Sequence, residues 1–151
     1  MKKQSGFTLI ELLLVLAIIG IIAAIAIPAL LGQREKAKAK AVQSLVANIA
    51  GECTRVNDDV RARLGTVAAT SVVNTVLGMS NYKYPNVKNP YGGGVTPYEA
   101  ATTPTGDGNV SLDGTSVADA ATGNSYPAVI ITGRFKNGTA TSTIKKIVAL
   151  D

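Results

Sequence analysis

The sequence predicts an α+β fold, a long amino-terminal α-helix packed on an antiparallel sheet of three or four strands. Three observations lead there. Residues 7–31 form an apolar run broken by one charge, Glu11. Residues 33–64 then repeat apolar side chains at spacings of three and four, the mark of a helix with one buried face. The last third alternates short β-rich stretches with turn residues, and Asn137-Gly138 between two of them is the strongest short hairpin signal.

Taken in order, the 25 apolar residues 7–31 make about 37 Å of helix at 1.5 Å per residue, enough to span a bilayer with some tilt. Gly20 and Pro28 punctuate the run. Proline lacks an N–H and its ring crowds the carbonyl of Ala24, so the helix is expected to bend or open there, with Gly20 adding backbone freedom. A second, amphipathic helix follows over 33–64, with Val42, Leu45, Val46, Ile49, Cys53, Val56, Val60 and Leu64 on its apolar face. Arg55 with Asp59, and Asp59 with Arg63, are placed for ion pairs on the opposite face, and Gly65 is the stop signal. Residues 67–77 fit a short helix or a loop against the long helix. The clearest strands are 128–135 and 141–150, with a further strand at 94–100 or at 109–112. The organisation is therefore a short basic segment at 1–6, an apolar helix at 7–32 and a globular domain at 33–151.

Composition narrows the function. The formal charge of +5 would fall to +3 without Lys2 and Lys3, a balance too mild in either case for the dense basic stripe of a nucleic-acid interface. Arg34, Lys36, Lys38 and Lys40 spread around the helix and suit lipid headgroups, or a neighbour's Glu35 or Glu52. With no histidine and Cys53 alone, the chain has neither an intramolecular disulfide nor a Cys/His zinc site. Cys53 falls in the apolar stripe and reads as a small buried hydrophobe. No histidine base, phosphate-cradling loop or H-E-x-x-H is present, so an enzyme is not expected.

Glu11 is the residue that demands explanation. A carboxylate within a hydrocarbon layer costs roughly 2.5–3.5 kcal/mol on insertion scales and calls for a cationic partner. The apolar run supplies no lysine, arginine or histidine. A partner must come from elsewhere, and a new α-amino group made by cutting the chain before Phe7 would serve. The competing reading is a removable secretory signal ending at Ala24-Ile25-Ala26, against which stand Glu11, the apolar length and the helical pattern that continues past it.

The stretch Lys2-Lys3-Gln4-Ser5-Gly6-Phe7-Thr8-Leu9-Ile10-Glu11, with Gly20 and Pro28 at matching places, resembles the amino end of a type IV prepilin, and the likeness reaches to about Cys53. That resemblance implies cleavage between Gly6 and Phe7 by a membrane prepilin peptidase, N-methylation of Phe7, and assembly by inner-membrane machinery into a helical homo-oligomer. There Glu11 meets the amine of Phe7 on an adjacent subunit. It implies an inner-membrane precursor, then an extracellular pilus for adhesion, motility or DNA uptake, and a helix that unwinds between Gly20 and Pro28 on assembly. A type II secretion or competence pseudopilin is the alternative, and an unrelated membrane-anchored binding domain a third class.

Many such pilins close a carboxy-terminal loop with two cysteines, which this chain lacks, so packing or metal must hold its loop. Similar pseudopilins hold calcium near their carboxyl end. Asp107, Asn109 and Asp113, read as one glycine-rich loop, offer oxygen ligands for calcium without matching an EF-hand, and a plain solvated turn is the preferred reading. No cofactor is otherwise expected. Asn109-Val110-Ser111 and Asn137-Gly138-Thr139 fit the glycosylation triplet.

Overall fold

The computed structural model describes residues 6–83, 87–92 and 97–150. The leader residues Lys2 to Ser5, and 94–96 of one expected strand, lie outside these. The chain divides into two compact units, Met1–Glu35 and Lys36–Asp151.

Helix α1 runs from Leu9 to Leu64. It starts two residues later than the apolar run and continues without a break through Pro28, so no separate helix begins at Gln33. A proline removes one hydrogen bond from the ladder, and the flanking turns of alanine, isoleucine and leucine keep theirs. In the first unit the apolar side chains face outward: Leu9, Ile25 and Leu30 are each at least 70% exposed, and Gly20 has no neighbouring atom where a Cβ would sit.

In the second unit α1 turns one stripe inward. Val42, Val46, Ile49, Ala50, Cys53 and Val56 are buried, with Leu45 and Val60 packed at the edge. Leu64 departs from the expected face and is 74% exposed, because the packed stripe stops one turn earlier at Val60. On the polar side Arg63 reaches Asp59 at 3.3 Å, while Arg55 turns back to Glu52 at 2.9 Å. Of residues 67–77, those from Ala69 onward are helix: α2 spans Ala69–Lys83 and buries Val72, Val73 and Val76.

Four strands follow, β1 (Tyr98–Ala100), β2 (Val110–Ala118), β3 (Ser125–Asn137) and β4 (Ala140–Ala149), in the spatial order β1-β2-β3-β4. Both sites weighed for the further strand are strands. The sheet is not wholly antiparallel, however. β2, β3 and β4 form an antiparallel meander, but β1 pairs parallel to β2, with Tyr98 beside Val110. The loop 101–109 carries the chain back to the starting end of β1 before β2 begins, and that return fixes the parallel sense. At the β3–β4 turn Asn137 pairs with Ala140, leaving Gly138-Thr139 as the two-residue loop. Gly138 alone there has positive φ, 67°, the pattern of a type II′ turn.

The core lies between the helices and one sheet face, where Val110, Leu112, Val129, Ile131, Val148 and Leu150 meet the stripe of α1 and the buried valines of α2. Gly133 sets the approach of α1. A Cβ there would stand 2.6 Å from Val46 Cγ2 and 2.9 Å from Val42 Cγ1, so only hydrogen fits.

Candidate functional site

The site is built at the start of α1. Residues 6–8 precede the helix, and Gly6 and Phe7 are exposed, Phe7 at 88%. The Gly6–Phe7 bond therefore lies in non-helical, accessible chain. Helical backbone resists entry into a peptidase cleft because its amides are already paired, and this bond carries no such protection.

Thr8 is the cap of the helix. Its hydroxyl accepts the Glu11 backbone N–H at 3.3 Å, and Glu11 Oε2 accepts both the Thr8 N–H at 2.9 Å and the Thr8 hydroxyl at 2.8 Å. This reciprocal pairing is a capping box, which satisfies donors that the first helical turn leaves open. Glu11, to which the apolar run offers no cation, thus has a neutral partner within its own chain. The signal was in the sequence, a threonine three residues before a glutamate at the head of an apolar run, and attention to charge alone passed over Thr8. The negative carboxylate also sits at the positive end of the helix dipole.

Past this cap, α1 is long and apolar enough to cross a membrane, and none of its apolar window is buried within the chain. The window presents leucine and isoleucine all round, which suits lipid or other helices and not water.

The remaining sequence-predicted residues separate from one another. Cys53 is buried and free, and burial pushes its thiol up to about 12, with Glu52 adding to the rise. Lys38 lies 5.0 Å from the centre of the Tyr91 ring. Asp113 is not in the glycine-rich loop but in β2, in register with Ile130. Asp107 Oδ1 accepts Arg134 Nε at 3.0 Å, and Lys136 Nζ stands 3.7 Å from Oδ2. Asn109 Oδ1 accepts from buried Asn89, whose amide also donates to the Asp107 carbonyl. Two cationic side chains and an amide thus occupy oxygens of Asp107 and Asn109, Asp113 stands apart in β2, and among the described residues no group of three or more carboxylate, cysteine or histidine side chains is placed to hold a metal. Of the glycosylation triplets, the first has Val110 and Ser111 buried, and the second lies at the exposed β3–β4 turn.

Comparison with known proteins converges on the same end of the chain. Residues 1–27 match the family described as the prokaryotic N-terminal methylation motif. The type II secretion system core protein G of Vibrio cholerae serotype O1 is 52% identical over 48 residues, 31% of this chain and 33% of that protein. Its Escherichia coli K12 counterpart is 52% identical over 46 residues, 30% of this chain and 32% of that protein. A fimbrial protein of Pseudomonas aeruginosa is 79% identical over 28 residues, 18% of each chain. The matched stretch covers about a third of the secretion proteins' length. No solved structure matches the chain. In its amino-terminal third, the chain carries a prepilin-type N-terminal methylation motif on an exposed apolar helix and is similar there to these secretion-system and fimbrial proteins.

Proposed function

We propose that the chain is the structural subunit of a type IV pilus, cut between Gly6 and Phe7, methylated on the Phe7 amine, and stacked into a helical extracellular filament. It is a substrate of a prepilin peptidase and not itself an enzyme. The observation that supports this most is the capped carboxylate Glu11 at the head of an apolar helix that the chain leaves unburied. The membrane holds that helix before assembly, and neighbouring helices replace the lipid afterwards.

Glu11 supplies the register. Thr8 holds Oε2, and among the described residues Oε1 makes no hydrogen bond, so the carboxylate is oriented with one oxygen to offer the Phe7 amine of a neighbour. In a low-dielectric filament core, a subunit stacked out of register would leave that charge unpaired at about 3–5 kcal/mol. The stretch between Gly20 and Pro28 would take up extension of the fibre. Calcium is assigned no part.

A second reading is a short periplasmic pseudopilus. It is favoured by the longer matches to secretion core protein G, which extend well beyond the 28 residues shared with the fimbrial protein. Intact-mass and amino-terminal analysis of the native host's sheared surface fraction separates the two. A methylated Phe7 start in long sheared fibres supports the pilus; the same start confined to membranes moves the chain to the pseudopilus. A start at Met1 or Ile27 overturns both.

A further inference from the structure

The sheet has two faces, and the helices use one. Gly133 and Ile144 mark the helix side, since a Cβ on Gly133 would meet Val42, Val46 and Ile144 alike. Alternation along the strands then places Asp113, Ile130 and Ile147 side by side on the opposite face, with Lys145 in the next row beside Ser111 and Thr132, two short side chains that are themselves buried. Neither Ile130 nor Ile147 belongs to the core or packs on its edge. Ile147 is 52% exposed and, with Leu64, is one of two large apolar side chains exposed among the described residues of the second unit.

Charges of opposite sign flank this apolar pair. Asp113 is half-buried and Lys145 exposed, and neither side chain makes a hydrogen bond or ion pair among the described residues. Within one chain they stand two strands and one two-residue step apart, about 10 Å across and about 7 Å along, too far to meet.

We propose that this face docks a second copy of this chain through a two-fold contact, Lys145 of each copy against Asp113 of the other, with Ile130 and Ile147 packed between. The register makes the surface self-complementary. A two-fold axis lying between facing sheets and bisecting the line from Asp113 to Lys145 exchanges those two residues. The same rotation lays Ile147 over Ile130 of the second copy, so one operation satisfies both charges and both apolar side chains, the condition for an isologous interface. Lipid would leave Asp113 desolvated and unpaired. A partner of one sign would pair with one flank and repel the other. A two-fold contact cannot join successive subunits of one polar helical filament, so it links copies paired in the membrane or on adjacent filaments. It does not depend on the filament reading.

The test uses the full-length chain in its host with Ala149→Cys, a small exposed position on the same face and close to the axis. Cys53 is buried, which keeps it out of the reaction. A bis-maleimide of about 10 Å reach, the spacing of stacked sheets, should give a covalent homodimer. Asp113→Lys or Lys145→Asp in that background should each cut the dimer by about tenfold, and the double swap should restore it. The proposal is overturned by no dimer, by single swaps without effect, by a double swap that fails to restore, or by linkage only to a different protein. Fibres without the cross-link sink this contact alone, whereas the cross-link without fibres sinks the filament reading alone.

Discussion

Thr8 and Glu11 are joined by three hydrogen bonds, two received by Glu11 Oε2 and one received by the Thr8 hydroxyl. The carboxylate that the apolar run isolates is therefore built into the helix start. Its orientation is set by the chain's own cap.

We expect Thr8→Val to weaken the cap by about 1 kcal/mol and free the Glu11 rotamer. Thr8→Ser should keep both bonds. Sheared-filament yield should fall with valine and hold with serine, at unchanged processing by intact mass; equal yields from the two would remove the cap from assembly.

Glu11→Leu should give a processed subunit that assembles poorly, because the apolar replacement suits the membrane and loses the charge that sets register. Gly6→Val should leave the leader attached, since a branched side chain at the cleavage position alters the extended backbone a peptidase must bind. Normal fibres from Glu11→Leu, or a Phe7 start from Gly6→Val, would contradict these roles.

Cys53 carries a pH prediction. Its folded-state value is raised from 9.0 to about 12, so the buried thiol keeps its proton while the unfolded chain loses it. That stabilisation is complete below about pH 9 and is lost as pH rises toward 12. Denaturant midpoints of the detergent-purified chain should therefore fall above pH 9, and iodoacetamide at pH 8 should label Cys53 only after unfolding. Rapid labelling of the native chain would show the thiol is not enclosed.

Gly133→Ala places a methyl against Val42 and Val46 and should cost about 1–3 kcal/mol, read as a lower denaturant midpoint. An unchanged midpoint would mean α1 does not sit this close to β3.

Asp107→Asn should lower the melting temperature slightly, because Arg134 and Lys136 lose their shared carboxylate at a partly exposed site, worth at most about 1 kcal/mol. Calcium and EDTA should leave the wild-type melting temperature unchanged. A rise with calcium would return a metal to this loop.

Much of this was legible in the chain because it depends on residues close in sequence. The apolar run, the three-and-four stripe from Val42 to Val60, and the Asn137-Gly138 turn are local patterns with local physical causes. The Gly6–Phe7 bond at which we propose cleavage and the carboxylate four residues past Phe7 are legible for the same reason, as is the cap once Thr8 is read with Glu11. Tertiary structure decided what depends on distant partners. The parallel sense of β1 follows from where loop 101–109 returns the chain, and no propensity encodes that path. Asp107 and Asp113, only six residues apart, share one loop by sequence alone, yet one is held by Arg134 and Lys136 and the other lies in β2. Leu64 continues the apolar spacing but lies past the end of the core. The row of Asp113, Ile130 and Ile147 exists only because three strands pair in one register, which aligns residues 17 apart in sequence at each step.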